Sequence, residues 1–204
     1  KLIMRSGARL DEKGYGVRSI LHMTACGCGI YDVGALLIDR NVPVDGRDKA
    51  GETPLLIACK FGKTDLVSVL LERGANPNLA NKHAGGDMPI HRAAEFGHVK
   101  IVEMLLGLTL NKEKLVDVDS RNANGDTPLI KAALTGQIAV ARFLLANGAV
   151  IDRPRGLEDK KQTPLQVACQ LDHYDFAGML LESQADVNLT DSEGLTALHY
   201  AAWG

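Results

Sequence analysis

The sequence predicts an all-α solenoid of stacked helix-turn-helix units with projecting β-turn or hairpin loops, and three observations support this fold class. A four-residue frame recurs at intervals of 33 to 39 residues along the 204-residue chain. Each frame carries residues that start a helix, and a glycine or its substitute stands where that helix should end. Apolar residues then recur at helical spacing in the second half of each unit. Because one such helix pair cannot cover its own apolar face, the units must stack on one another.

The frame opens the first helix of each unit. Thr at its head can cap a helix N-terminus through its hydroxyl group, and Pro at the next position has no N–H to lose in the first turn. The six copies are Ser19-Ile20-Leu21-His22, Thr53-Pro54-Leu55-Leu56, Met88-Pro89-Ile90-His91, Thr127-Pro128-Leu129-Ile130, Thr163-Pro164-Leu165-Gln166 and Thr196-Ala197-Leu198-His199. We therefore predict first helices that start near Thr53, Met88, Thr127, Thr163 and Thr196.

A short first helix and a second helix are expected in each unit. Gly62, Gly97 and Gly136 stand nine residues after the heads of their frames. Glycine readily takes the left-handed conformation that ends a helix. After the glycine, apolar residues recur at helical spacing, as Leu66 and Leu70 do. Each second helix should therefore have one buried face.

The pattern as a whole, from residue 2 to residue 204, resembles the ankyrin repeat. The resemblance rests on the frame, on a following pair of small residues such as Ala93-Ala94, on the glycine after them, and on leucine doublets such as Leu105-Leu106. In two units the doublet is followed by Gly-Ala, as at Gly74-Ala75. The resemblance implies a concave surface that binds partners, lined by the projecting turns and the exposed sides of the first helices.

The resemblance also implies a structural role for the histidines at the fourth frame position. In ankyrin repeats, the imidazole at this position forms hydrogen bonds that bridge adjoining turns. The resemblance implies the same role for His22, His91 and His199. No two histidines have the i, i+4 spacing with a carboxylate that a zinc-enzyme helix needs. Cys26 and Cys28 form a Cys-x-Cys pair without a second pair, which is a weak metal signal. We therefore predict no metal site.

We predict a single solenoid over residues 1–204, with unit boundaries at the projecting turns. The units are a partial repeat at 1–13, full repeats at 14–47, 48–80, 81–121, 122–154 and 155–190, and a partial repeat at 191–204. Because both end units are incomplete and lack the polar outer face of a capping repeat, we expect a fragment of a longer ankyrin array. The charged segment 154–161 lengthens one turn, either through drift or as a finger that binds a partner.

Composition and missing motifs exclude several classes of function. The formal net charge of −2 gives no general attraction to nucleic acid, so no nucleic-acid partner is expected. No run of 18 apolar residues occurs, so we expect no membrane insertion, and four cysteines are too few for a disulfide framework. These features favour an intracellular location, cytoplasmic over nuclear. No catalytic nucleophile, phosphate-binding loop or paired-carboxylate motif occurs, so we predict no enzyme activity, cofactor or small-molecule substrate.

The positions that the repeat leaves free are the candidates for partner binding. They lie on the projecting turns and along the exposed sides of the first helices: Lys49, Glu52, Lys60, Phe61, Lys82, His83, Asp87, Arg92, Glu95, Phe96, Asn124, Asp126, Lys131 and Leu134. Phe61 and Phe96 hold equal positions in consecutive units, and such a pair could hold an apolar side chain of a partner. The alternative is that each ring packs over its own following helix.

Arg92 and Lys131 also hold equal positions in consecutive units, where other units carry apolar residues. We expect their charged ends to reach solvent in the groove, flanked by Asp87, Glu95 and Asp126. There they could pair with a carboxylate of a partner. A solvated salt-bridge network is the alternative.

Two turn asparagines are candidates for modification. Asn188 follows Leu180 by eight residues, and Asn78 follows Leu70 by the same interval. Ankyrin repeats with this spacing resemble substrates of an asparaginyl hydroxylase, which implies possible hydroxylation at both asparagines. The alternative is an unmodified turn asparagine that bonds its own backbone.

These features predict a non-catalytic protein–protein interaction scaffold that binds a partner protein or peptide through its concave groove and turn fingers. The alternative is a segment that acts in cis, docking onto the rest of a larger signalling enzyme, channel or adaptor. The sequence leaves the oligomeric state open.

Overall fold

The computed structural model describes residues 20–27, 31–40, 42–82, 85–110, 113–156 and 161–203. Within these ranges the chain folds into pairs of short helices, and the predicted all-α solenoid is confirmed. The helices are α1 (Ile20–Cys26), α2 (Tyr31–Ile38), α3 (Pro54–Lys60), α4 (Thr64–Glu72), α5 (Pro89–Glu95), α6 (Val99–Leu106), α7 (Pro128–Thr135), α8 (Ile138–Ala146), α9 (Pro164–Gln170), α10 (Tyr174–Glu182) and α11 (Ala197–Ala201).

The first helices begin where the frame predicts. The hydroxyl oxygens of Thr53, Thr127 and Thr163 each accept the N–H group three residues on, at 3.3 Å. Such a cap satisfies one of the backbone donors that a helix leaves unpaired, and contributes about 1 kcal/mol. At the other end, Gly97 and Gly136 take the left-handed conformation, with φ of 78° and 69°, which stops the helix as predicted.

The helices stack in two rows. First helices pack on first helices, from α1 through α3, α5, α7 and α9 to α11, and second helices pack on second helices, from α2 to α10. The third frame residue lies in the core in most units, since Leu55, Ile90, Leu129 and Leu165 are all buried. Burying such a side chain contributes about 1.5–3 kcal/mol. Leu198 holds the same position in α11 but is 77% exposed.

The fourth frame residue bridges neighbouring units. His22 Nε2 lies 3.0 Å from the Glu52 carbonyl oxygen. His91 Nε2 donates to the carbonyl oxygens of Ser120 and Asp126, both at 3.0 Å. The bridging role that the resemblance implied is confirmed for these two histidines. His199 instead accepts the N–H of its own frame through Nδ1.

Two features show how this bridge works. Gln166 replaces the histidine in one unit, and its Nε2 donates to the carbonyl oxygens of Leu189 and Leu195 at 2.9 and 2.8 Å. His91 Nδ1 accepts the Met88 N–H at 3.2 Å, so the imidazole is neutral with its proton on Nε2. Burial lowers the pKa of His91 below 6.5, although the nearby Asp87 carboxylate raises it.

The link after α6 lies in the unit with the longest interval between frames, from Met88 to Thr127, and contains a small hairpin that the all-α prediction did not specify. Strand β1 (Thr109–Leu110) pairs antiparallel with β2 (Glu113–Lys114). The side-chain amide of Asn78 donates to the Leu115 carbonyl oxygen at 2.7 Å, which attaches the hairpin to the preceding unit. The hairpin lengthens one link while the helix pairs on either side keep their stacking. The unit boundaries stay a prediction.

Candidate functional site

The projecting turns are held by their own first residues. The carboxylate of Asp48 accepts the N–H of Glu52 at 3.0 Å, and the amide oxygen of Asn122 accepts the N–H of Asp126 at 2.8 Å. Each of these oxygens also accepts the N–H two residues on, at 2.9 Å. Because the bonds satisfy backbone donors locally, the turns are ordered without a partner.

Five charged side chains form a cluster that joins the ends of two turns to α5 and α7. This ion cluster consists of Glu52, Asp87, Arg92, Glu95 and Lys131. Arg92 Nη1 lies 3.1 Å from Glu95 Oε2 and 3.4 Å from Asp87 Oδ2, and Arg92 Nη2 lies 3.8 Å from Glu52 Oε1. Lys131 Nζ lies 3.1 Å from Glu95 Oε1 and 3.2 Å from Asp87 Oδ2. Three carboxylates thus share two cations.

The expectation that Arg92 and Lys131 extend their charged ends into solvent is wrong. Their side chains are only 11% and 10% exposed, because carboxylates from the turns and from α5 enclose them. Burying a cation is costly unless it is paired, and these carboxylates supply the pairing within the chain. The salt-bridge network that was the alternative is present, but it is enclosed rather than solvated.

The sequence carried a signal for this enclosure. An acidic residue, Asp87 or Asp126, stands directly before each of the two frames that carry a cation. Such pairing predicts an internal ion pair better than it predicts two free cations. The signal is partial, because Glu52 also stands before a frame, and that frame carries the apolar Ile57.

Asp126 belongs to a second ion pair. Its Oδ1 lies 3.1 Å from Nε of Arg155, in the described part of the 154–161 segment, and Asp126 is buried. The Arg155 N–H also donates to the Gln162 carbonyl oxygen at 2.8 Å. These contacts hold this part of the segment against the preceding turn. Residues 157–160 lie outside the described residues.

An aromatic patch lies at the ends of α3 and α5. It consists of Lys60, the last residue of α3, and of Phe61 and Phe96, which follow α3 and α5. The two rings are 47% and 42% exposed. Lys60 Nζ lies 5.6 Å from the centroid of the Phe61 ring and 5.8 Å from that of Phe96. Both distances allow cation–π attraction, so one ammonium group brings together two rings from consecutive units.

The remaining candidates differ in exposure. Lys49, Lys82 and Asn124 are exposed on the turns, while Leu134 is partly buried against the core. His83 lies outside the described residues, as Cys28 does. The described candidates therefore lie on the turns, on the first helices or directly after them. They are divided between an enclosed ion cluster and an accessible surface. Their roles in binding a partner stay predictions.

The two candidate asparagines have different surroundings. The backbone N–H of Asn188 donates to Asp186 Oδ1, and that of Asn78 donates to Asn76 Oδ1, both at 2.9 Å. Both residues are exposed. The Asn78 side chain is engaged with the hairpin, so Asn188 is the more accessible of the two.

Cys59 and Cys169 lie on two first helices, α3 and α9. Burial raises the pKa of the Cys59 and Cys169 thiols, which keeps both protonated at neutral pH. Among the residues that the structure describes, no three His, Cys, Asp or Glu side chains come together as a metal site. In the same part of the chain, no helix is long and apolar enough to cross a membrane.

A family profile described as "Ankyrin repeats (3 copies)" matches residues 1–81, 78–155 and 154–204. Among solved structures, the human ASB11 ankyrin repeat domain is similar, with a TM-score of 0.82 and 28% identity over 98% of this chain and 84% of that chain.

Curated relatives match almost the whole chain but are much longer. Human Rabankyrin-5 is 31% identical over 98% of this chain and 16% of its own length. Human transient receptor potential cation channel subfamily A member 1 is 26% identical over 97% of this chain and 21% of its own length. The chain thus spans about a fifth or less of these two relatives.

Proposed function

The chain belongs to the ankyrin-repeat family, and on that premise we propose that it is a non-catalytic scaffold that binds a partner protein or peptide through its concave groove and turn fingers. Ankyrin repeats are in general protein–protein interaction modules. The observation that carries the proposal is the preordered face formed by the turns and first helices, with two half-exposed rings on it. A receptor that is already ordered loses little entropy on binding.

The predicted residues take two roles in this proposal. Those of the ion cluster, with Asp126, support the face from within. The accessible ones contact the partner: Lys49, Lys60, Phe61, Lys82, Phe96 and Asn124. Exposed aromatic side chains are common anchors in interfaces, which favours Phe61 and Phe96 as the centre of the contact.

The proposal includes no cofactor and no substrate, and it places the chain inside the cell, in the cytoplasm. Free thiols support this location, since Cys59 and Cys169 form no disulfide in the described residues and disulfides are rare in reducing compartments.

A second candidate function is docking in cis. It is favoured by the length of the relatives, of which the matched region is 21% or 16%. In such a protein, the same face would hold another domain of its own chain.

Affinity capture with the chain tests the proposal. The Phe61→Ala, Phe96→Ala double variant should lose the proteins that the wild type captures. Arg142→Ala on α8 is the matched control, since it removes an exposed side chain from a second helix and should capture the same set.

Unchanged capture by the double variant would overturn the assignment of the groove. Loss of capture with Lys161→Ala instead would place the contact on the 154–161 segment.

A further inference from the structure

We propose that the aromatic patch binds an acidic segment of the partner, with a carboxylate on the Lys60 ammonium and a neighbouring apolar side chain on the rings of Phe61 and Phe96. This inference rests on the proposed function and adds the chemistry of the partner to it.

The first step is that Lys60 has no carboxylate of its own. No Asp or Glu among the described residues lies within 4.0 Å of its ammonium group. Its near neighbours are instead the faces of two rings, at 5.6 and 5.8 Å. The rings hold the ammonium in place without neutralising it, so a partner can still pair with this charge.

The second step excludes the two other cations as the carboxylate receptors. Arg92 and Lys131 are already paired with three carboxylates of the ion cluster and are nearly buried. A partner carboxylate would have to break these pairs and lose its own hydration to reach them. Lys60 is accessible without either cost.

The third step concerns the sign of the exposed charge. Asp48, Glu52 and Asp87, on the turns of these two units, are all buried. Lys49 and Lys82, on the same two turns, are exposed. The exposed charges on these two turns are therefore positive, although the whole chain carries a formal net charge of −2. Glu95, at the position of α5 that corresponds to Lys60, is 21% exposed but is already paired with Arg92 and Lys131. Charge complementarity then favours an acidic partner.

The two phenylalanine rings determine which side chain of the partner lies next to its acidic residue. Phe61 and Phe96 each leave nearly half of their surface in water. An aliphatic side chain beside the carboxylate would cover this apolar surface and exclude water from the new ion pair, which strengthens it. An acidic residue adjacent to an aliphatic one is therefore the expected recognition element.

The test uses three pools of short randomised peptides labelled with fluorescein, each with a fixed central pair: Glu-Leu, Gln-Leu or Lys-Leu. The wild-type chain should retain the Glu-Leu pool about two- to fivefold better than the Gln-Leu pool, and the Lys-Leu pool least. This preference should fall as salt rises, because exposed charges are screened.

Matched variants locate the site. Lys60→Met keeps an apolar stem of similar length beside the rings and should abolish the preference for Glu-Leu over Gln-Leu, while Lys60→Arg should keep it. Lys100→Met on α6 is the control, since it removes an exposed lysine from a second helix. Circular dichroism of each variant verifies that it is folded.

Equal retention of the three pools by the wild type, no retention of any pool, or an unchanged preference in Lys60→Met would each overturn the inference. The proposed function can survive that result. Suppose that the Phe61→Ala, Phe96→Ala double variant no longer captures proteins that Lys60→Met still captures. The proposed scaffold function would then stand, and only the inference that its partner is acidic would be wrong.

Discussion

Lys131→Met should destabilise the folded chain by about 2–4 kcal/mol. In the wild type, Lys131 Nζ lies 3.2 Å from Asp87 Oδ2 and 3.1 Å from Glu95 Oε1. Without it, Arg92 alone would face three carboxylates, those of Glu52, Asp87 and Glu95. Removing one partner of a buried ion pair costs about 3–5 kcal/mol. Glu95 is partly exposed, so water recovers some of that loss and the expected cost is slightly smaller.

Urea unfolding followed by far-ultraviolet circular dichroism measures this change across the whole chain. A loss of this size is a large part of the about 5–15 kcal/mol that stabilises a typical domain. The matched control is Lys100→Met, which removes an exposed lysine paired with Glu103 at 2.9 Å. It should cost less than about 1 kcal/mol.

A double variant separates charge from packing. Lys131→Met combined with Glu95→Gln removes one of the three carboxylates that Arg92 alone faces in the single variant. The double variant should therefore be more stable than Lys131→Met alone, by about 1 kcal/mol or more. The reasoning is refuted if Lys131→Met costs no more than Lys100→Met, or if Glu95→Gln restores nothing.

Three further outcomes are expected. Gly97→Ala should destabilise the chain by about 1–2 kcal/mol in urea unfolding, because φ at Gly97 is 78°. Gly178→Ala should instead stabilise it by about 0.5–1 kcal/mol, because Gly178 lies inside α10 and an added Cβ would meet open space. The unfolded chain binds a proton at His91 at higher pH than the folded chain does, so stability should decrease as pH falls below 6.5, by at most about 1.4 kcal/mol per pH unit. His91→Gln, which copies Gln166, should show less of this decrease, and equal pH dependence of the two proteins would contradict the assignment. Intact-mass measurement of the chain produced in animal cells should show one added oxygen, and fragmentation should place it on Asn188. If no oxygen is added, Asn188 is not a hydroxylation site.

The helix pairs could be predicted because each signal is local. Thr127 caps and Gly136 stops α7 through conformations that depend on the residue itself and on its immediate neighbours. The bridging role of His91 came from the family resemblance, since the carbonyl groups that it contacts belong to a turn about 30 residues away. The pairing of Thr109–Leu110 with Glu113–Lys114 was not predicted, because these strands are only two residues long and carry no alternating pattern.

Sequence reasoning did not predict how deeply the charged side chains of the site are buried. Equal spacing placed Arg92 and Lys131 on the same face but contained no measure of how far the turns extend over them. Exposure there depends on Glu52 and Asp87, which approach from two different turns. The rings of Phe61 and Phe96 had the same ambiguity, and their exposure follows from the side chains around them rather than from their position in the unit.

His91 and Gln166 make equivalent pairs of carbonyl bonds, but only the imidazole can take up a proton. Protonation of His91 at Nδ1 would remove the bond from the Met88 N–H and place a positive charge in a buried site, while Nε2–H keeps donating to the two carbonyl oxygens. Mild acid should therefore loosen the start of α5, inside the proposed binding face, and leave the start of α9 unchanged. A partner that contacts α5 and the turn before it would then bind more weakly in acid, before the helices themselves unfold.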